Sequence, residues 1–306
     1  MLPDMPRKHP SRPRSAIATK GLRFSLVGAG NLASALASSL RDAGYEIDLI
    51  VTRSRAGSLR RAHTLAKKVG AAAVIAPRAQ IQSDVVWFCV PDRAISSVAT
   101  SLPQSIEWTG KVALHSSGAL GSDELGELHR CGAAVASVHP LMTFVQRSFT
   151  GHAPPLLEGV PFAVEGDQEA VRIARRIVTD LHGNSFIIRK RDKPLYHAWG
   201  MFLSPLLTAL LAASENVAAA AGMPPTKAQE RMLPIIRQTI ANYAAAGPSG
   251  SFSGPIARGD VETVKKHLRV LRQVAGAKEI YVALAKAALR DLPAKNRGKL
   301  ERELKT

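Results

Sequence analysis

Lys193 and His197 stand four residues apart in an Ala/Leu-rich stretch, while His115-Ser116-Ser117 and Ser137-Val138-His139 close two short apolar runs. These are side chains that can move a proton near neutral pH. Histidine titrates there unaided, whereas lysine needs burial to bring its ammonium into that range. On a helix, Lys193, His197, Gly200 and Ser204 fall on one stripe. Reduction of a carbonyl or imine requires such a group, because the developing anion must be protonated as hydride arrives. Either Lys193 or His197 can be that acid, with Ser116 as a further catalytic hydroxyl. The competing structural reading makes Lys193 an exposed first-turn residue and His197 a packed core histidine.

A hydride source is implied by Gly28-Ala29-Gly30-Asn31-Leu32-Ala33, which lies between an apolar run, Phe24 to Val27, and a helical pattern, Leu32 to Ala43. In this setting the first Gly permits the tight turn and the second lets backbone approach a pyrophosphate. Ala33 lets the helix pack closely on the strand. Free N–H groups of the first helical turn then face the phosphates. The next strand, 48–52, is followed by Arg53-Ser54-Arg55, where an enzyme for NAD places a carboxylate for the ribose 2′-OH. Two guanidiniums suit a 2′-phosphate, so the expected cofactor is NADP (NADPH). Asp48 has the spacing of the ribose carboxylate but falls at the start of the strand, the wrong end of the sheet. Val90-Pro91 forms a stiff turn expected beside the cofactor, and Asp92 reads as an N-cap for the following helix. The expected cofactor contacts are thus Gly28, Ala29, Gly30, Asn31, Leu32, Arg53, Ser54, Arg55, Val90 and Pro91.

Ligands of an open parallel sheet bind beyond the carboxyl ends of its strands. This places His115, Ser117 and His139 where a substrate would meet a nicotinamide. Ser204 continues the helical stripe, and Arg258, in the loop Gly254 to Val261, offers a guanidinium fork to a substrate carboxylate. Asp260 reads as the N-cap of a helix over 261–274.

The elements that must position these groups are legible. Strands are expected at 23–28, 46–52, 72–76, 84–90, 111–115, 133–138, 160–165 and 184–188, alternating with helical patterns. Beyond Lys190 only helical periodicity remains, over 192–221, 225–246, 260–274 and 277–290, with breaks at Gly222-Met223-Pro224-Pro225 and Gly247-Pro248. The expected fold is α/β: an N-terminal Rossmann domain with a doubly wound, mainly parallel sheet over 21–190, then an all-helical substrate and dimerisation domain over 191–290. Residues 1–20 read as a disordered basic arm and 291–306 as a basic tail.

Net charge is +17, but it concentrates at the ends. Residues 1–23 carry six basic side chains against Asp4, and residues 286–306 carry seven against three acids. Aromatics are scarce at 5% and no basic run interleaves with them, so nucleic acid is not an expected partner. No apolar leader opens the chain, and Cys89 and Cys131 are unclustered, which suggests a cytoplasmic protein without a metal site. The apolar stretch Ala198 to Ala213 is interrupted by Ser204-Pro205 and ends in Ser214-Glu215-Asn216, so it reads as a buried helix, too short and polar for a membrane span.

Several motifs together resemble a known family. The loop Gly28 to Ala33, Val90-Pro91-Asp92, His115 to Leu120, Ser137 to Phe144, Leu195-Tyr196-His197-Ala198 and Ser253 to Asp260 are similar to the bacterial Rossmann-like proteins with a DUF2520 domain. These belong to the wider class of pyrroline-5-carboxylate reductase and 6-phosphogluconate dehydrogenase relatives. The resemblance implies an NADP-dependent oxidoreductase acting on a small carboxylate-bearing metabolite, a 2-oxo acid or a cyclic imine. The chain departs from the family pattern at Ser204-Pro205, where the pattern has Ser-Asn. A homodimer through the apolar surface of Leu203 to Ala221 is expected. The alternative to an enzyme is a non-catalytic NADP-binding sensor that keeps the Gly28 loop.

Overall fold

The structure, a computed structural model, describes residues 21–145 and 157–305, which divide into two compact units at Gly200. The arm expected over residues 1–20 lies outside the described residues. In the first unit eight strands form one sheet: β1 (Arg23–Val27), β2 (Glu46–Thr52), β3 (Ala72–Ile75), β4 (Val85–Phe88), β5 (Val112–His115), β6 (Ala134–Pro140), β7 (Pro161–Gly166) and β8 (Asn184–Ile187). Their order is β3-β2-β1-β4-β5-β6-β7-β8. The first six are parallel, β7 runs antiparallel to β6, and β8 is parallel to β7.

Helices α1 (Asn31–Asp42), α2 (Ala56–Val69), α3 (Ile95–Thr100), α4 (Gly126–Arg130) and α5 (Gln168–Asp180) connect the strands. A parallel sheet covered on both faces needs strands that are apolar throughout, which is why Val85-Val86-Trp87-Phe88 is wholly buried. Alternation along the strand sends Trp87 into one core layer with Phe24, Leu36 and Leu114, and Val86 and Phe88 into the other with Val27, Ile95 and Leu125. The strand order reverses between β1 and β4, so the crevice for a ligand opens at their carboxyl ends.

One strand is longer than the sequence suggests. β6 continues through His139 and Pro140 because its antiparallel neighbour β7 extends the ladder, pairing His139 with Ala163 and Pro140 with Phe162. His139 therefore sits within a strand rather than after it.

The helix α6 (Lys193–Leu203) begins in the first unit, where its opening turns bury Lys193 and Tyr196. That anchoring places the division between units at Gly200, some way into the helix rather than before it. The second unit contains α7 (Pro205–Ala220), α8 (Pro225–Ser251), α9 (Pro255–Arg258), α10 (Val261–Val270), α11 (Ala277–Asp291) and α12 (Arg297–Glu303). α8 kinks at the expected Gly-Pro break, where the backbone of Gly247 is non-helical (φ 66°). A small core joins Val264, Leu268, Ala285, Leu289, Leu300 and Leu304. Within the stretch read as a basic tail, α12 and the residue that follows it turn Leu300 and Leu304 inward and leave the basic side chains outside.

The expectation of a buried helix over Ala198 to Ala213 is also overturned. α7 has no buried residue, and α8 buries only Ala228. By length and composition alone, the helical stretch 190–220 is long and apolar enough to cross a membrane. Local hydropathy reports how apolar a helix is, and says nothing of what covers it.

Candidate functional site

The β1–α1 turn is built around Gly28. Its φ is +117°, and a Cβ there would stand 2.5 Å from the Cys89 carbonyl oxygen, so only glycine fits. Its N–H donates to the Val51 carbonyl at 2.8 Å, tying the turn to β2. Gly30 is the N-cap of α1 and has open space where a Cβ would be, leaving backbone accessible from the crevice. Ala33 is wholly buried, which lets α1 lie close to the sheet. No side chain caps α1, so its first N–H groups remain available to an anion. Ala29 and Leu32 pack against the core, and the Asn31 amide donates to the Phe144 carbonyl at 3.0 Å.

Around this turn lie the other expected cofactor residues. Val90 approaches Gly28, and Pro91 follows it, exposed. At the end of β2, Arg53, Ser54 and Arg55 are exposed. The Arg53 Nε donates to Ser58 Oγ at 3.0 Å, which steadies the side chain while the other guanidinium nitrogens stay open. Asp48 lies near the start of β2 and pairs with Arg23, at the opposite end of the sheet from the Gly28 turn.

At the end of β5 the structure corrects two expectations. His115 is fully buried, and both ring nitrogens are engaged: Nδ1 accepts the Ser117 N–H at 3.1 Å and Nε2 donates to the Gly121 carbonyl at 2.9 Å. Burial drives its pKa down to about 4, so it is a neutral brace of the 115–121 loop and cannot reach a substrate. Ser117 is likewise buried. Its hydroxyl donates to Asp92 at 2.7 Å and accepts from the backbone N–H of Leu120 at 2.9 Å. Asp92 therefore receives the Ser117 hydroxyl and makes no side-chain cap to a helix, since its residues open a 3-10 turn instead. Ser116 remains half-buried, its Oγ accepting the Trp87 indole N–H at 2.8 Å.

Lys193 is neither an exposed first-turn residue nor a free acid. Its side chain is fully buried, and Nζ donates to the Ser117 carbonyl at 3.0 Å and to Ser137 Oγ at 2.7 Å. Ser137 Oγ donates in turn to the same carbonyl at 3.0 Å. Burial lowers the Lys193 pKa to about 8, and the carboxylates of Glu165 and Asp92 oppose that fall. The ammonium has no open side from which to protonate a ligand.

His139 and His197 converge beyond it. His139 Nδ1 shares a hydrogen bond of 2.9 Å with the Tyr196 hydroxyl. The His139 and His197 rings meet edge to face, with centroids 6.2 Å apart. Gly118 lies against both: a Cβ there would be 2.7 Å from His197 Cδ2 and 2.8 Å from His139 Nε2. Burial, then the charges of Lys193 and His197, push the His139 pKa down to about 4, and burial raises Tyr196 to about 12. Sequence reasoning names Tyr196 within a motif but gives it no role. A tyrosine in an apolar helix reads as core, although its place three residues after Lys193 puts it on the same face.

The predicted stripe fails at its end. α6 stops at Leu203, and Ser204 is non-helical (φ −129°, ψ −75°) where Pro205 begins α7. Gly200 does lie close to its neighbour, since a Cβ there would stand 3.3 Å from Leu141 Cδ1. Arg258 belongs to the second unit, exposed at the end of α9. Beside it Gly259 packs on the Lys295 carbonyl, and Asp260 caps α10 as expected, accepting the Thr263 N–H at 3.0 Å. Among the described residues no group of His, Cys, Asp and Glu forms a metal site.

Two family models match the chain, and the second begins within the first unit. Residues 8–140 match the family model of the Rossmann-like domain, and residues 160–288 match that of the domain of unknown function DUF2520. Among solved structures, protein TM1727 from Thermotoga maritima is 25% identical, with TM-score 0.67, covering 92% of this chain and 99% of that one. The Bacteroides fragilis protein BF3122 is 20% identical, with TM-score 0.71 over 87% of this chain and 97% of that one. A reductive aminase from Aspergillus terreus, solved with NADPH and ethyl-5-oxohexanoate, is 16% identical, with TM-score 0.62 over 92% of this chain and 99% of that one. No curated protein gives a significant match.

Proposed function

We propose that this chain, a Rossmann-like domain followed by a DUF2520 domain, is an NADPH-dependent reductase of a carbonyl or imine in a small carboxylate-bearing metabolite. The observation that carries the reading is the Gly28–Gly30 turn, close-packed at Gly28 and open at Gly30, in the same unit as the imidazole pair of His139 on β6 and His197 on α6. The turn fits a pyrophosphate because its backbone is open at Gly30 and the uncapped α1 N-terminus presents N–H donors. Arg53 and Arg55 are the groups for a 2′-phosphate. NADPH, when bound, supplies hydride.

The chain's own residues then position and protonate. His197, partly exposed beside Gly118, is the proton donor, and Ser116, two residues before Gly118, supplies a further hydroxyl. His139, held by Tyr196, orients the reacting group as a neutral hydrogen-bond partner. A reductive aminase handles the same bond types on a similar fold, which favours carbonyl and imine substrates.

Calorimetry on wild type and Arg53→Ala tests the cofactor half. NADPH should bind at least tenfold more tightly than NADH, about 1.4 kcal/mol, and Arg53→Ala should erase most of that preference. Equal affinities in the wild type would remove the 2′-phosphate reading. A screen of 2-oxo acids and cyclic imines following NADPH absorbance tests the rest. With a substrate in hand, His197→Gln should cut turnover about 10²–10⁴-fold while leaving NADPH affinity unchanged.

A further inference from the structure

Two rungs join α6 to β6. Ser137 and His139 are two apart on the strand and so share one face, while Lys193 and Tyr196 are three apart on the helix and share another. The first rung is Lys193 Nζ to Ser137 Oγ at 2.7 Å, and the second is the Tyr196 hydroxyl to His139 Nδ1 at 2.9 Å. The first rung also holds the 115–121 loop, because the Ser117 carbonyl accepts from both Lys193 and Ser137. Gly118, the next residue, is the one wedged against His139 and His197.

A buried ammonium one rung away acts on His139 through poorly screened space, so its charge disfavours a second cation there. His139 is faced by Lys193, Tyr196 and His197 from α6, by His115 from β5, and by Asp92 from the turn after β4, with Asp92 opposing the cations. The carboxylates that temper Lys193 are themselves occupied: Glu165 accepts the Ser122 N–H at 2.7 Å and its hydroxyl at 3.0 Å, and Asp92 accepts the Ser117 hydroxyl.

We propose that Lys193 is a positioning residue: its ammonium pins the Ser117 peptide and, from the neighbouring rung, adds its charge to the burial that disfavours a cation at His139, which leaves proton donation to His197. Only the last clause rests on the reductase reading. The pin and the charge effect belong to the resting protein.

The test is a ring-proton NMR titration of the full chain, with His139 assigned by its loss in His139→Gln, together with amide exchange at Ser117 and Gly118. Lys193→Met, which keeps length and removes charge, should move the His139 midpoint upward by roughly half a unit or more and speed exchange at Gly118. Ser137→Ala, which keeps the charge and removes the rung, should speed that exchange about tenfold and leave the His139 midpoint low. An unmoved His139 in Lys193→Met, or unchanged exchange in both variants, overturns the proposal. Should Lys193→Met fail to fold, Lys193→Arg takes its place: a His139 midpoint that rises although the charge is retained overturns the proposal, and one that stays low supports it. A reductase assay separates the two readings. The expected NMR response without turnover on any oxo acid or imine would sink the reductase reading alone, whereas turnover with an unresponsive His139 would sink the role of Lys193 alone.

Discussion

His139 and His197 meet edge to face across Gly118, at an interplanar angle of 80°. Neither ring can hold this position if the loop carries a side chain there, because a Cβ would lie within 2.8 Å of both. Gly118 is not strained, so its need for glycine is one of space between imidazoles.

Gly118→Ala should therefore fold and yet lose activity. Displacing one ring costs of the order of 1–3 kcal/mol as overpacking, a fall that thermal unfolding would register as a lowered Tm. Turnover should drop at least about tenfold, since small misplacements of a positioned acid are expensive. An active Gly118→Ala with unaltered kcat would show that the two histidines do not act together.

The glycines of the cofactor turn should separate folding from binding. At Gly28 a Cβ meets the Cys89 carbonyl and φ is +117°, so Gly28→Ala combines backbone strain of about 1–3 kcal/mol with displaced packing. At Gly30 nothing lies within 4 Å of the same atom. Gly30→Ala should keep stability within about 1 kcal/mol of wild type and weaken NADPH at least about tenfold by obstructing the phosphates. Urea titration and calorimetry on the pair decide this. Full NADPH affinity in Gly30→Ala would place the nucleotide elsewhere.

Much of the fold is legible in the sequence because its signals are local. Each strand is a short apolar run bounded by turn residues, and the Gly28 turn announces itself by what precedes and follows it. What escapes the sequence is mostly tertiary. Nothing near Lys193 in the chain shows that β5 and β6 enclose it, and nothing near His115 shows that Gly121 and Ser117 consume its ring. β6 outruns its own apolar residues because its extension depends on a strand that returns antiparallel about 20 residues later. For α12 a signal does exist: Leu300 and Leu304 are spaced i, i+4, but the basic residues around them outweigh it.

Acid should weaken the fold between about pH 6.5 and 4. The folded pKa of His115 is about 4 and its ordinary value 6.5, so in that window the unfolded chain binds more protons. Stability from the neutral ring is present in full above 6.5 and is lost as pH falls toward 4, worth up to about 3 kcal/mol for this buried group. His139, also lowered to about 4, adds a part of the same sign. Lys193, lowered to about 8 from 10.5, works in an alkaline window: its charged form is disfavoured in the fold, so stability rises between pH 8 and 10.5. Denaturant midpoints across pH should show both slopes. His115→Gln, though less stable at pH 7, should have a flatter acid limb, and an acid limb as steep as wild type would contradict the assignment.

The last prediction concerns what covers the second unit. Ile235 is 67% exposed, Tyr243 59% and Ile240 58%, on a helix, α8, that buries only Ala228 within one chain, and α7 beside it in sequence buries nothing. The same unit holds an apolar groove of about 550 Å³, lined by Leu210, Val217, Phe252, Leu271 and Tyr281 among others. Leaving this much apolar surface in water is unfavourable at roughly 25 cal/mol per Å². A second copy supplies both an apolar helix for the groove and a groove for the helix, which a two-fold interface requires. Light scattering at micromolar concentration should therefore give about twice the 32.7 kDa of one chain. Ile235→Glu together with Ile240→Glu should shift the population to monomer, or to aggregates if the exposed groove is left bare. A wild-type chain that scatters as a clean monomer, with no tendency to associate, would sink the dimer and leave the exposed helices without an occupant of their own kind.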